Sequence, residues 1–424
     1  MKVVLACWGM RGDVEHCVVV GRELLRRGHE VRIAVSPNLV GLAEATGLGA
    51  VPYGLDARPH SEVQRKYWTC LLRTPWRVGE LDRLARRIAQ IITRCWTDEV
   101  TETLVSLADG ADVMIAGLGF EQFAANVAEY HGLPLATVHF FPMRANGQAL
   151  SFLPAPLGRS VMTLWERLSW SGALKSAEDT QRRHLALPPA TSPWPQRIAE
   201  RRSLEIQAYD QLCFPGLAAE WAKFDGRRPF VGTLTLELPA ESDDEAAAWI
   251  AAGPPPIYFG FGSIAVESAA DTLDMIAAAC AQLGERALVS AGGTDFSDTA
   301  RFEHVKVVGP LNYAAIFPAC RAVVHHGGSG ATAAGLRAGV PQLILWTLVD
   351  QPLFGAAVKR LQVGTARHFS ATTAKTLAAD LRKILAPHYL TRAREVATRM
   401  TTPADSAARA ADLLEDFAGG QGVV

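Results

Sequence analysis

Short apolar runs alternate with stretches of helical spacing along the first fifty residues. Val3-Val4-Leu5-Ala6 suits a strand buried on both faces, as in a parallel sheet. A glycine-containing turn follows at 8–13. Residues 18–27 carry apolar positions at helical spacing and stop at Gly28, a residue that tolerates the left-handed conformation ending a helix. Residues 31–35 repeat the strand pattern, and 39–46 repeat the helix, stopped by Gly47. This strand–helix–strand–helix order predicts a doubly wound α/β sheet. Residues 112–116 and 135–138 read as later strands of that sheet. The rhythm breaks at 60–100 and 145–200, which are rich in Trp, Arg and Pro and read as insertions on the rim of a first domain.

An acidic, proline-rich stretch at 239–256 precedes a second α/β pattern. Strands are expected at 257–261, 287–291, 305–308, 322–325 and 342–346, with helices between them, and 404–417 reads as an amphipathic helix. The expected organisation is an N-terminal domain over 1–225, a second domain over 226–402 with its linker at about 226–256, and a tail over 403–424 that packs back on the first domain. A chain of 424 residues is long enough for both. Half the residues are apolar and a fifth are charged, a globular composition. The formal net charge of −1 argues neither for nor against nucleic acid; the lack of a basic face spanning the chain and of a reader motif argues against it. Seven scattered cysteines without a CxxC pair read as reduced thiols of a cytoplasmic protein. The opening MKVVLAC lacks the apolar stretch of a signal segment, and no window reaches the roughly 18 apolar residues of a membrane span.

The most informative segment is Ala322-Val323-Val324-His325-His326-Gly327-Gly328-Ser329-Gly330-Ala331-Thr332. A buried strand enters a glycine-rich turn and then a helix. That layout gathers backbone N–H groups and the positive end of a helix at one spot, where phosphate binds. Glycines let an anion approach the backbone, Ser329 and Thr332 add hydroxyls, and His325 and His326 add imidazoles that can carry charge. A packed strand–helix turn without a ligand is the simpler alternative. A P-loop is excluded because no Gly-Lys-Ser/Thr follows. Further on, Asp350-Gln351-Pro352 follows a strand. A carboxylate beside an amide offers sugar hydroxyls both acceptors and donors, although a loop-capping Asp fits as well. Asp13, past the first strand, is placed either as a general base or as the N-cap of the next helix. Arg11 is placed to meet a phosphate or to pair with Asp13.

Together these segments resemble the GT-B fold glycosyltransferases of the family holding the antibiotic and sterol glycosyltransferases. The stretch 325–332, then Ala338-Gly339-Val340-Pro341 and Asp350-Gln351-Pro352, resembles that family's donor signature. Gly12-Asp13-Val14 resembles its N-terminal signature, with His16 where Pro usually stands. At finer grain the chain is similar to mycobacterial glycosyltransferases that decorate glycopeptidolipids, through Arg22-Glu23-Leu24-Leu25-Arg26-Arg27-Gly28-His29, Pro37-Asn38-Leu39, Ser203-Leu204-Glu205-Ile206-Gln207-Ala208-Tyr209-Asp210 and Ile257-Tyr258-Phe259-Gly260-Phe261-Gly262-Ser263. The resemblance implies two Rossmann-like domains facing across a cleft and a dTDP-deoxysugar donor of the rhamnose or 6-deoxytalose class. It assigns Asp13 as base and gives the diphosphate to Arg11, Ser263, His325, His326, Gly327, Gly328, Ser329, Gly330 and Thr332. The donor sugar falls to Asp350 and Gln351, and the base to Pro310, Leu311 and Asn312.

The expected reaction is a single inverting displacement, with an oxocarbenium-like transition state. No Asp-x-Asp occurs, so a helix terminus is expected to do the work of a metal, and no cofactor is expected. Residues 60–97 hold eight basic residues against three acidic ones, a balance of +5, interleaved with Tyr67, Trp68, Leu71, Leu72, Trp76 and Trp96. A second apolar group runs through Phe152, Leu153, Leu157, Met162, Leu164, Trp165, Leu168 and Trp170. Such segments either hold a lipid-bearing acceptor or rest on the inner face of the membrane, or else pack as an ordinary helical face. Trp68, Trp76 and His139 are the expected acceptor contacts. A sugar-nucleotide epimerase of the same architecture, a UDP-sugar-dependent natural-product or sterol glycosyltransferase, and a non-catalytic nucleotide-sugar sensor are the rival readings.

Overall fold

A computed structural model describes residues 1–150, 153–262, 266–347 and 350–420. The chain forms two compact units, Met1–Leu236 with Thr401–Val424, and Glu237–Met400.

In the first unit the strands are β1 (Lys2–Cys7), β2 (Glu30–Val35), β3 (Gly49–Pro52), β4 (Val113–Gly117), β5 (Leu135–His139) and β6 (Leu204–Gln207). They form one parallel sheet in the order β3-β2-β1-β4-β5-β6. Helices α1 (Arg11–Arg26) and α2 (Val40–Glu44) follow β1 and β2. Helices α3 (Arg58–Arg73), α4 (Val78–Cys95) and α5 (Asp98–Ala108) precede β4, and α6 (Glu121–His131) follows it. Helices α7 (Ala155–Trp170), α8 (Ala173–His184) and α9 (Trp194–Glu200) fill the gap before β6, and α10 (Leu217–Trp221) follows β6. The irregular stretches 60–100 and 145–200 are therefore helical layers added to the wound sheet.

In the second unit, α11 (Asp243–Ala251), β7 (Ile257–Gly260), α12 (Ala269–Leu283), β8 (Ala287–Ser290), β9 (Val305–Val308), α13 (Tyr313–Ile316), β10 (Ala322–His325), α14 (Ser329–Arg337) and β11 (Gln342–Trp346) run in order. Then come α15 (Gln351–Arg360), β12 (Gly364–His368), α16 (Ala374–Ile384) and α17 (Pro387–Ala397). The sheet is again parallel, in the order β12-β11-β10-β7-β8-β9. Ile257, Phe259, Val289, Val324, Leu343 and Leu345 sit fully buried on one of its faces against α12 and α16. That double-sided burial is why these strands read as continuous apolar runs.

Two boundaries differ from the expected ones. Helix α1 begins at Arg11, seven residues before the expected start at 18, because the Asp13 carboxylate accepts from the Met10 N–H at 2.7 Å and closes the first turn. Residues 226–236, expected in the linker, belong to the first unit. Gln207 N–H donates to the Pro229 carbonyl, Val231 N–H donates to Gln207, and Leu236 N–H donates to Glu15. The last helix, α18 (Pro403–Ala418), packs on α1. There Arg27 meets Asp412 and Glu415 at 2.7 Å, and the His29 ring bonds Glu415.

Candidate active site

In parallel wound sheets, ligands gather outside the carboxyl ends of the strands, where the strand order reverses. In the second unit that place lies between β7 and β10. His325 ends β10, the turn His326–Gly328 follows, and α14 starts at Ser329. Gly327 has φ +94°, and a Cβ there would come within 2.7 Å of Ile344 and 3.2 Å of Gln351. Glycine is required on both counts. The same closeness puts the turn directly against the start of α15. The amides of Ser329, Gly330 and Ala331 have no carbonyl one turn back to bond, and the first turn of α14 carries no acidic residue. Ser329 Oγ is buried without a hydrogen-bond partner among the described residues. These features suit an anion.

The two histidines, expected to add imidazole donors with at least one charged beside a diphosphate, are held in different ways. His325 is enclosed, its Nε2 lies 2.8 Å from Gln342 Oε1, and its Nδ1 accepts from Gly327 N–H at 3.1 Å. Both ring nitrogens are used in holding the turn, and burial pushes the pKa to about 3. His326 lies across the end of β7, where a Cβ on Gly262 or Gly328 would reach within 2.6 Å of its ring. Burial holds it near 4, against a hydrogen bond with the Gly260 backbone. Both rings are therefore neutral at pH 7, and the positive field at this spot comes from the helix. The Thr332 hydroxyl donates to the Gly328 carbonyl at 2.9 Å, which removes it from the expected set of donors. Ser263 lies outside the described residues.

Gln351 is buried, and its Oε1 accepts from Thr347 N–H at 2.7 Å. That bond ties Thr347, just past β11, to the first residue of α15. Asp350 is the N-cap residue of α15, half-buried, and desolvation raises its pKa to about 6 against backbone N–H bonds from Asp350 and Gln351. Pro310, Leu311 and Asn312 follow β9 at the same edge of the sheet, two strands from β7. Asn312 Oδ1 caps α13 through Ala314 N–H, and Asn312 N–H donates to Asp243. No group of three or more His, Cys, Asp or Glu placed to hold a metal occurs among the described residues.

In the first unit, Asp13 stands in the first turn of α1, past the end of β1. Gly9, at φ +146°, leaves no room for a side chain, because a Cβ would strike the Asp13 carboxylate. Ser36 pins the same turn, accepting from Gly9 N–H at 2.8 Å and donating to its carbonyl at 3.0 Å. Arg11 is exposed and pairs with Glu15 at 2.9 Å. His16, in the signature's proline position, is buried, stacks on Phe140 and bonds the Leu234 carbonyl at 2.7 Å.

Sequence reasoning missed the ring cluster packed on Trp8, the residue before Gly9. Trp8 is buried, with Nε1–H donating to Leu55 at 2.6 Å, and it meets His60 edge-on at 5.2 Å and Phe120 at 5.1 Å. Phe120 has φ +59°, a strained conformation for a bulky residue, and a Cβ on Gly119 would strike the Trp8 carbonyl. Burial lowers His60 to about 4, so it is neutral. The signal was there in part: Trp8-Gly9 and Gly117-Leu118-Gly119-Phe120 both follow strands. His60, on α3, gave none. The expected acceptor contacts lie elsewhere. His139 is fully buried, held by Glu121 at 3.1 Å in an ion network with Arg144, Glu205 and Arg228, so it cannot meet an acceptor. Trp68 packs with Tyr67 and with Trp165 of α7, and Trp76 stands 73% exposed between α3 and α4.

The family described as erythromycin biosynthesis protein CIII-like, C-terminal domain, matches residues 293–415. An uncharacterized glycosyltransferase of Mycobacterium tuberculosis is 54% identical over 422 residues, covering 99% of both chains. Among solved structures, the glycotransferase of kitacinnamycin superposes with a TM-score of 0.72 at 17% identity, covering 98% of both chains. The glycosyltransferase VinC, in complex with dTDP, superposes with a TM-score of 0.60 at 17% identity over the full length of both. At such identities the structures speak to the fold.

Proposed function

We propose that this chain, which belongs to the family 1 glycosyltransferases of GT-B fold, moves a 6-deoxysugar of the rhamnose or 6-deoxytalose class from dTDP to a hydroxyl of a lipopeptide or glycolipid, with inversion and without a metal. The observation that carries the donor half is the start of α14, where first-turn amides and the buried Ser329 hydroxyl converge with no acid in the first turn. Such a terminus meets the charge that grows on a departing diphosphate, and because its dipoles are already oriented it needs no reorganisation during the reaction. The dTDP bound to VinC supports the choice of nucleotide, and the likeness to glycopeptidolipid transferases supports the sugar and the acceptor.

In this reaction Asp13 takes the proton of the acceptor hydroxyl as its oxygen attacks the anomeric carbon. The bond from that carbon to the β-phosphate oxygen breaks, and dTDP leaves with the electron pair. Asp350 and the Gln351 amide orient the sugar, and Pro310 to Asn312 meet the base. Arg11, His326, Gly328 and Gly330 complete the diphosphate side, with Gly327 and His325 shaping the turn. The half-buried rings of His60 and Phe120, packed on Trp8, offer an apolar surface that suits an acceptor carrying lipid. No helix among the described residues is long and apolar enough to cross a membrane. The reading places the enzyme in the cytoplasm, peripheral at the inner membrane face.

A panel of dTDP-, UDP- and GDP-sugars in EDTA tests it, because a ligand that binds only the folded state raises the melting temperature. The expected result is stabilisation by a dTDP-6-deoxysugar and transfer of one deoxyhexose mass to a lipid-bearing acceptor. Transfer that stops in EDTA and returns with magnesium, stabilisation by UDP-sugars alone, or an altered sugar nucleotide with no acceptor consumed would each overturn the reading.

A further inference from the structure

One helix of the first unit is built the wrong way round for an ordinary surface helix. On α7, Leu157, Val161, Leu164, Trp165 and Leu168 are each between 43% and 59% exposed. Their spacing of four, three, one and three residues puts all five within an arc of about 100° at the 3.6-residue period of a helix. Scattered exposed leucines are normal, but a continuous apolar stripe facing outward marks a contact surface. Trp68 of α3 carries the patch onward, with its ring 5.6 Å from that of Trp165. Past the end of α3, Trp76 and Val78 are 73% and 69% exposed.

The rim of this patch is basic. Arg77, Arg83 and Arg86 stand exposed beside Trp76 and along α4, paired with Glu80 and Asp82, and residues 60–97 retain a balance of +5. At the other end, Arg167, Trp170, Ser171 and Lys175 line an open cavity of about 490 Å³ next to Leu168. Lys175 lies 5.3 Å over the Trp170 ring and pairs with Asp179. An apolar stripe with tryptophans, bordered by arginine and lysine, is the pattern of a helix that lies in the interface of an anionic bilayer. A second copy of this chain fits less well, because a self-complementary contact would set these basic rims against each other.

We infer that α7, with the α3–α4 corner, is the surface by which this protein docks on an anionic lipid bilayer, the stripe entering the acyl boundary and the basic rim meeting headgroup phosphates. This deepens the membrane side of the proposed function and rests on it only for the choice of compartment. Its test uses neither donor nor acceptor, so either idea can fail alone.

The test is co-sedimentation of the whole protein with phosphatidylcholine vesicles, with and without phosphatidylglycerol. Binding is expected to the anionic vesicles, weakening as salt rises, with a blue shift of tryptophan emission. Leu164→Glu with Leu168→Glu is expected to lower the partition coefficient about tenfold or more. Arg83→Glu with Arg86→Glu is expected to abolish the preference for anionic lipid while leaving the folded spectrum unchanged. An unchanged far-ultraviolet circular dichroism spectrum and an unchanged unfolding midpoint without ligand, read on the same variants, show that the chain is still folded. No binding to anionic vesicles, or equal binding by the Leu164→Glu/Leu168→Glu protein, overturns the proposal. So does a dimer in sedimentation velocity that the same two substitutions dissolve, which would make the stripe a contact between copies.

Discussion

The two sheets follow one plan, so their helix starts can be compared place for place. Reading outward from the reversal point, β4 in the first unit corresponds to β10 in the second, and α6 corresponds to α14. Helix α6 starts with Glu121, whose carboxylate is buried and held by Arg144, His139 and Trp194. The loop before it is closed against Trp8 by Gly119 and Phe120. Helix α14 starts with Ser329 and Gly330 after two glycines and has no acid in its first turn. One helix end carries its own negative charge, and the other carries none in its first turn. The first unit instead puts a carboxylate at the start of α1, where Asp13 holds the Met10 N–H and remains half-exposed. Equivalent scaffolds thus acquire opposite electrostatics from a few residues at helix starts.

The largest expected effect comes from the carboxylate. Asp13→Asn keeps an oxygen for the Met10 N–H but removes the base. Turnover should fall about 10²–10⁴-fold while the thermal shift by the dTDP-sugar is unchanged. Near-normal turnover would remove Asp13 from the mechanism. The next largest should come from the filled helix start. Burial alone would raise Glu121, but Arg144 and His139 outweigh it and hold it at about 2. Glu121→Gln leaves Arg144 with one carboxylate partner fewer in a closed site, and a loss of about 3–5 kcal/mol is expected in urea unfolding of the first unit. The contribution of Glu121 is present above its ordinary pKa near 4.5 and is lost as pH falls toward 2. A change under about 1 kcal/mol would assign the network no role in stability.

Much of this plan is legible in the chain itself, for a physical reason. Strands such as Val3-Val4-Leu5-Ala6 and Ala322-Val323-Val324 are buried on both faces, so their apolar runs are unbroken, and the glycine turn after β10 announces its own geometry. Strand β6, Leu204-Glu205-Ile206-Gln207, hides because its buried Glu205 is neutralised by Arg144 and Arg228, which arrive from distant segments. His139 misled for the same reason. Strand β12, Gly364-Thr365-Ala366-Arg367-His368, is an edge strand with little apolar content. The cluster of Trp8, His60 and Phe120 is assembled from three separate segments, and periodicity within any one of them gives no sign of the others.

A third substitution makes the two helix starts alike. Gly330→Asp puts a carboxylate in the first turn of α14, as Glu121 is in α6. Without ligand it should be neutral or should raise stability by about 0.3–1 kcal/mol, since an acid suits a helix N-terminus. Donor affinity should fall about a hundredfold, because the diphosphate then meets a like charge. Opposite signs in the melting temperature and in donor binding by calorimetry are the signature. A loss of stability without a loss of affinity would show that the diphosphate binds elsewhere.

The smallest expected effect concerns pH. Asp350 ionises near its ordinary value of 3.8 in the unfolded chain and near 6 in the folded one. Between those values the folded state holds more protons, so stability falls as pH rises through that window and is level above it. Donor binding runs the other way, because only the carboxylate accepts from two sugar hydroxyls at once. Between pH 7 and pH 5 the ionised fraction drops about tenfold for a group with pKa near 6, and the donor dissociation constant should rise by up to that factor. Asp350→Asn should flatten both trends and weaken the donor by roughly tenfold at pH 7, the loss of one charged hydrogen bond. Burial drives Asp350 up, while Asp13 is held by an amide at an open helix start. A donor-binding pH profile centred near 6 that persisted in Asp350→Asn would place the titrating group elsewhere and remove Asp350 from the donor site.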